Sequence, residues 1–153
     1  MQGTLVCAVT DGAEAGDAVA QAATISERLG LRLVLAHVVE GITLGNGGGE
    51  SVTMKADRQG AEKRLAELAR DHGIDERAER RVAVGEPATL LGQIASEEAA
   101  DVIVVGARAR GFGRRGLESR LAEELETETP VPVLIAPPRR ARKEVSANGG
   151  RRR

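Results

Sequence analysis

Short apolar runs alternate with helical patterns along most of this chain. Five runs are typical of buried strands, at 3–9, 31–39, 79–84, 102–105 and 131–136. Apolar residues recur at helical spacing in the segments between them, at 17–29, 52–72, 88–99 and 117–125. Strands that alternate with helices form a parallel sheet with right-handed crossovers and helices on both faces. The pattern therefore predicts an α/β domain with an open, parallel, five-stranded sheet.

The composition sets the kind of core and excludes one class of partner. The 153 residues include one Phe and no Tyr or Trp, so Val, Leu, Ile and Ala must fill the interior. Such residues suit the close packing of helices on a parallel sheet. Proteins that bind nucleic acid by base stacking need aromatic side chains. We therefore expect no nucleic-acid partner of that kind.

Charge is distributed unevenly between the body of the chain and its end. The net charge is −1, yet residues 139–153 carry seven Lys or Arg and one acid, which leaves the rest at about −7. We predict a folded domain over 1–138 and a basic, disordered tail over 139–153, because the tail has too little apolar content to fold. The segment 41–50, which contains GNGGG, is predicted to be a loop.

Cysteine content and the first apolar run indicate a reducing compartment. Cys7 is the only cysteine, so we expect neither an intramolecular disulfide nor a cysteine-based metal cluster, and its place within a strand predicts burial. The first apolar run is far too short for a signal or membrane helix. We expect a cytoplasmic protein without a membrane partner.

Two strand ends carry the residues of greatest functional interest. Thr10, Asp11 and Gly12 follow the first strand, and Gly106, Ala107 and Arg108 follow the fourth. Ligands of open α/β sheets bind at the carboxyl ends of strands, and a strand that ends in glycine before a helix presents backbone N–H groups to phosphate. Asp11 and Gly12 can hold a ribose or form a plain turn. The arginines of the second loop can clamp a phosphorylated ligand or balance the acids of the following helix: Arg108, Arg110, Arg114 and Arg115.

Four segments of the chain resemble the universal stress protein family. They read VCAVTDGAEAG, LVLAHVVE, VGEPATLLGQIASEEAADVIVVGARARG and TPVPVLIAP, and they extend the resemblance from Gly3 to Pro137. The resemblance implies an adenine nucleotide alpha hydrolase-like fold with strand order 3-2-1-4-5. It also implies a homodimer formed along the last strand, whose apolar residues would otherwise lie on an exposed edge.

The family pattern for ATP binding is only partly present. ATP-binding members carry a glycine, two residues, a second glycine, nine residues, a third glycine and then serine or threonine. Aligned on Gly106, those positions hold Gly106, Ala109, Ser119 and Arg120, so one of four matches. Ala109 adds a methyl group where backbone must approach phosphate, while Ser119 can cap the last helix or touch a phosphate oxygen. A three-residue gap would instead offer Gly116 as the third glycine.

The resemblance implies that Asp11 contacts the nucleoside and that the backbone of Val38 recognises adenine. We interpret the neighbouring His37 as structural. No serine–histidine–acid arrangement, pair of acids at a plausible spacing or phosphate-binding GxxxxGK[ST] motif occurs, so the sequence gives no support for an enzyme.

The leading hypothesis is a regulatory or binding module with weak or lost ATP binding. The alternative is an ATP-binding protein with slow hydrolysis in which loop arginines replace the glycines. A flavoprotein-like domain shares the fold, but length and the lack of a second domain disfavour it, so no flavin is expected.

Overall fold

The computed structural model describes residues 2–40, 52–109 and 117–138, with backbone only for 52–56, 108–109 and 117–118. The predicted loop at 41–50, the predicted tail at 139–153 and the alternative glycine Gly116 lie outside the described residues. The division into a domain over 1–138 and a tail stays a prediction.

Five parallel strands form the main sheet, as predicted. Its order is β3-β2-β1-β4-β7, which is the order 3-2-1-4-5 when the strands of this sheet are numbered among themselves. The register places Val9 beside His37 and Gly106 beside Ala136, so the carboxyl ends of neighbouring strands lie close together. The strands are β1 (Thr4–Val9), β2 (Arg32–Val39), β3 (Ala78–Val84), β4 (Val102–Gly106) and β7 (Val133–Ala136).

Four helices lie in the described ranges, at α1 (Glu14–Leu29), α2 (Val52–Asp71), α3 (Pro87–Glu97) and α4 (Arg120–Glu128). Helix α3 begins one residue before the predicted segment 88–99. Glu86 is its N-cap, accepts a hydrogen bond from the Thr89 N–H at 3.0 Å, and precedes Pro87 in the first turn. The Thr89 hydroxyl also donates to Glu86, and these bonds lower the pKa of the Glu86 carboxyl. No helix in these ranges is long and apolar enough to cross a bilayer.

The three central strands, β1, β2 and β4, are buried on both faces. Alternate residues of a strand point to opposite sides of the sheet, and helices cover each side. Leu5, Cys7 and Val9 of β1 pack with α1 and α2, whereas Val6 and Ala8 pack with α3 and α4. Leu65 and Ala69 of α2 belong to the first cluster, and Leu91, Ile94, Ala122 and Leu125 belong to the second. The predicted aliphatic core is therefore present on both sides of the sheet.

The last helix begins later than the sequence predicts. Leu117 and Glu118 form a short strand, β6 (Leu117–Glu118), that pairs antiparallel with β5 (Arg108–Ala109). Ser119 then caps α4: its hydroxyl accepts a hydrogen bond from the Ala122 N–H at 3.2 Å. The helical pattern at Leu117 was misleading because backbone pairing with β5 fixes that residue in an extended conformation.

Candidate ligand-binding cleft

A cleft of about 1510 Å³ opens at the carboxyl ends of β1, β2 and β4. This is where the strand order reverses between β1 and β4, the place at which open α/β sheets bind ligands. Residues from the ends of all three strands line the cleft, together with parts of α2 and the first turns of α3 and α4. They include Thr10, Asp11, Gly12, Glu14, His37, Val38, Arg64, Gly106, Ser119 and Arg120.

The turn after β1 is held by an arginine from α2. The Arg64 Nε and Nη2 atoms donate to the Thr10 carbonyl at 3.2 and 3.1 Å, and Nη2 also donates to the Gly12 carbonyl at 3.2 Å. A guanidinium group carries its donors in a rigid fork, so one side chain can fix two neighbouring carbonyl groups. Arg64 thereby positions the turn that carries Asp11.

His37 and Asp11 meet at the ends of β1 and β2. The His37 Nε2 atom lies 3.3 Å from Asp11 Oδ1; the histidine is 3% exposed, whereas the Asp11 side chain is 88% exposed. Burial lowers the pKa of His37 below its ordinary 6.5; the charge of Asp11 opposes this effect and that of Arg64 adds to it. The neutral ring therefore predominates at neutral pH. Its Nδ1 atom has no hydrogen-bond partner among the described residues.

Gly106 allows close contact between the end of β4 and the start of α1. A Cβ atom at this position would lie 2.5 Å from the Glu14 carbonyl oxygen and 2.9 Å from the Glu14 Cβ. Real Cβ atoms do not approach backbone so closely. The glycine that matches the family pattern is therefore required for packing in this chain.

The residues aligned with the end of the ATP pattern already have partners. The Ser119 hydroxyl accepts from the Ala122 N–H, and Arg120 Nε lies 3.4 Å from Glu124 Oε1, one helical turn along α4. The Arg120 side chain is 88% exposed, so this ion pair is weak. Ala109 pairs with Leu117 in the β5–β6 ribbon. Its side chain is outside the described part of the structure.

The described lining of the cleft is acidic. Two of its residues are arginines, Arg64 and Arg120, whereas six carry carboxylates: Asp11, Glu14, Glu40, Asp57, Glu86 and Glu124. A cleft lined by charges of one sign raises the local concentration of ligands of the opposite sign and disfavours ligands of its own. Over the ranges with described side chains, no group of three His, Cys, Asp or Glu residues is arranged to hold a metal ion.

The structure places five of the six predicted site residues along this cleft: Asp11, Val38, Gly106, Ser119 and Arg120. Three further lining residues that contact Asp11 or hold the turn after β1 were not predicted as site residues: Glu14, His37 and Arg64. His37 precedes Val38 at the end of β2, and its register beside Val9 brings it to Asp11. Glu14 lies three residues after Asp11, and this spacing could have indicated a second carboxylate beside the end of β1. No sequence pattern pointed to Arg64, because its place depends on how α2 packs.

The doubly wound sheet, with a cleft where the strand order reverses, defines the class of α/β domains built to bind ligands at strand ends. Within that class, the model of the universal stress protein family matches residues 1–137, and the chain belongs to this family. A search of curated protein sequences gave no match.

Several solved structures share the fold. The universal stress protein from Archaeoglobus fulgidus, solved in complex with dAMP, is 21% identical with a TM-score of 0.63, and the match covers 87% of this chain and 96% of that one. A universal stress protein in complex with cAMP is 21% identical with a TM-score of 0.59, covering 88% and 97%. The universal stress protein UspA from Lactobacillus plantarum is 16% identical with a TM-score of 0.66, covering 89% and 99%.

Proposed function

We propose that this protein is a universal stress protein-type binding module whose cleft accepts a nucleoside but binds ATP weakly or not at all. Some family members of the same fold were solved with nucleoside monophosphates, dAMP and cAMP. The proposal separates the cleft into a nucleoside end, near Asp11 and Val38, and a phosphate end, near Gly106, Ser119 and Arg120.

The nucleoside end has the groups that a base and a ribose need. Asp11 offers an exposed carboxylate that can accept hydrogen bonds from ribose hydroxyls. Val38 and Val39 bring backbone from the end of β2 to the cleft wall, and Leu91 adds apolar surface. Small-molecule sites typically have an apolar wall with a small number of well-placed polar groups.

The observation that carries the proposal is the charge of the described lining, in which six carboxylates accompany two guanidinium groups. A triphosphate brings up to four negative charges, so each of those carboxylates opposes its binding. Beyond Arg120 and Glu124, which are already among these groups, helix α4 carries three more glutamates, Glu123, Glu126 and Glu128, and no further arginine.

Isothermal titration with MgATP and with adenosine tests the proposal. We expect measurable binding of adenosine and a much weaker or absent heat signal with MgATP. Low-micromolar binding of MgATP would overturn the proposal. A mass spectrum of the natively purified protein provides an independent test, because a tightly held nucleotide would remain bound during purification.

The alternative function is ATP binding, with slow hydrolysis, in which arginines replace the missing glycines. Arg120 lines the cleft, and Arg108 is the second residue after β4. An arginine can neutralise and bind phosphate through its planar fork of donors. On this alternative, replacing Arg108 and Arg120 with Ala weakens ATP binding by about tenfold or more, and unchanged affinity excludes it.

The same proposal includes a homodimer formed along β7. This strand is at one edge of the sheet, and Leu134 and Ile135 are 39% and 41% exposed. An exposed apolar edge strand favours pairing with another chain. A second copy of the strand would cover both side chains and extend the sheet across the two protomers.

A further inference from the structure

Arg64 of α2 holds the backbone on both sides of Asp11. Its Nε and Nη2 atoms donate to the Thr10 carbonyl at 3.2 and 3.1 Å, and Nη2 also donates to the Gly12 carbonyl at 3.2 Å. Arg64 is half-buried, and the next residue, Leu65, is fully buried in the core. The guanidinium group therefore extends from a packed part of α2, and its planar fork fixes the two carbonyl groups that flank Asp11.

The start of α1 depends on the same turn. Its N-cap residue, Ala13, has no side chain that can accept a hydrogen bond from the helix amides. The Ala15 N–H donates instead to the Gly12 carbonyl at 3.2 Å, and this carbonyl also accepts from Arg64. One backbone oxygen thus joins α1, α2 and the turn. The turn is held through its backbone, and the Asp11 side chain lines the cleft.

The Asp11 carboxylate has a second contact, with His37. The Asp11 side chain is 88% exposed, so packing does not fix its position. Its Oδ1 atom lies 3.3 Å from His37 Nε2. An ionised carboxylate can only accept hydrogen bonds, so the neutral imidazole carries its proton on Nε2 and donates it to Asp11. The histidine engages one carboxylate oxygen, and the other can accept a hydrogen bond from a ligand.

We propose that Arg64 is a positioning residue of the nucleoside end: it sets the affinity for the ribose by holding Asp11, and it does not contact the ligand itself. This inference rests on the proposed function and deepens it by naming the residue that controls recognition of the sugar hydroxyls. A hydrogen bond weakens steeply when its distance or angle departs from the normal range. A site loosened by about 1 Å therefore loses much of its affinity.

The test compares adenosine with 2′,3′-dideoxyadenosine, which lacks both ribose hydroxyls, by isothermal titration. The proteins are the wild type, Arg64→Gln, Asp11→Ala and the double variant. Arg70→Gln is the matched control, because Arg70 is an exposed arginine of the same helix and is not part of the described cleft lining. Thermal unfolding verifies that each variant is folded.

We expect Arg64→Gln to weaken adenosine binding by about tenfold and to leave 2′,3′-dideoxyadenosine within about twofold of the wild type. Asp11→Ala should show the same selective loss. Adding Arg64→Gln to Asp11→Ala should cause no further loss, because a residue that acts through a partner has no effect once the partner is removed. Arg70→Gln should change neither affinity by more than about twofold.

Amide hydrogen exchange tests the hold on the turn without any ligand. The Ala15 N–H is bonded to the carbonyl that Arg64 holds. In Arg64→Gln it should exchange faster by about tenfold or more, relative to the Val104 N–H in the centre of the sheet. The comparison with Val104 separates local opening of the turn from a general loss of stability. Arg70→Gln should leave this ratio at the wild-type value.

The inference is overturned if Arg64→Gln weakens both ligands equally, since a merely structural role would have that effect. It is also overturned if the double variant binds adenosine more weakly than Asp11→Ala, because Arg64 would then contact the ligand directly. An unchanged exchange ratio in Arg64→Gln would contradict it as well. The proposed function fails on a different result, low-micromolar MgATP binding by the wild type, and both fail if the wild type binds no adenosine.

Discussion

Gly106 and Glu14 are in backbone contact: a Cβ atom on the glycine would lie 2.5 Å from the Glu14 carbonyl oxygen. We therefore expect Gly106→Ala to destabilise the protein by about 1–3 kcal/mol, the cost of forcing extra volume into a packed site. Urea unfolding measures this change. The matched control is Gly16→Ala in α1, where an added Cβ meets nothing within 4 Å. That variant should gain about 0.5–1 kcal/mol, because glycine is a poor helix former. Equal stability of Gly106→Ala and wild type would contradict the packing role.

The buried His37 should make the protein sensitive to mild acid. Its pKa is lowered by burial from the ordinary 6.5, so below that pH the unfolded chain takes up the proton more readily than the folded protein. The resulting stability is present above pH 6.5 and is lost as the pH falls. His37→Gln should flatten the decline of the unfolding free energy between about pH 7.5 and pH 5.5, by at most about 1.4 kcal/mol per pH unit. Parallel curves for the two proteins would rule out this contribution.

Cys7 should resist thiol reagents until the protein unfolds. The side chain is fully buried in β1, and burial raises its pKa to about 12, so almost no reactive thiolate is present at neutral pH. An absorbance assay with an aromatic disulfide reagent should show negligible labelling of the native protein and one thiol per chain in denaturant. Rapid labelling under native conditions would show that β1 opens readily.

Ala99 adopts a backbone conformation that suits glycine. Its φ angle is 51°, and it follows α3, where the Ala100 N–H donates to the Ala95 carbonyl at 2.8 Å. This is the left-handed residue that commonly ends a helix. Ala99→Gly should stabilise the protein by about 0.5–1 kcal/mol, because the glycine relieves the strain of the Cβ atom. Ala99→Val, as the opposite change, should lower the melting temperature. A loss of stability in the glycine variant would be inconsistent with this explanation.

The proposed dimer predicts a clear difference between two surface variants. The wild type should sediment as a dimer at tens of micromolar, and Ile135→Lys should give monomers, because a charge at the β7 edge blocks strand pairing. Leu29→Lys is the control, because this leucine is 69% exposed and is the last residue of α1 rather than part of β7. A monomeric wild type would contradict the proposal, as would equal dissociation of both variants.

The sequence predicts the central strands of the sheet well because they are buried on both faces. Such strands are continuous apolar runs, and β1 and β4 are read directly from them. The short ribbon formed by β5 and β6 was not predicted. Two-residue strands carry no periodicity, and Leu117 fits a helical pattern as well as an extended one. The start of α4 was consequently placed too early.

The cleft was predicted in part for a similar reason. Asp11 lies two residues after the end of β1 and Gly106 is the last residue of β4, so topology alone brings them to one edge of the sheet. Arg64 is 52 residues from Gly12 in the chain, and its contact with the turn depends on how α2 packs over β1 and β2. The meeting of His37 with Asp11 depends on strand register, which the sequence pattern does not specify.

The Ser119 hydroxyl oxygen caps α4 and Ser119 also lines the cleft, so the Ala122 N–H and a ligand can compete for the same oxygen atom. A ligand that takes the lone pairs of this hydroxyl leaves the Ala122 N–H without its partner, and an unpaired amide at a helix start costs about 1 kcal/mol. Occupancy of that end of the cleft and the integrity of the first turn of α4 are therefore thermodynamically coupled. A ligand that accepts the hydroxyl hydrogen instead leaves the lone pairs of Ser119, and with them the cap of α4, in place.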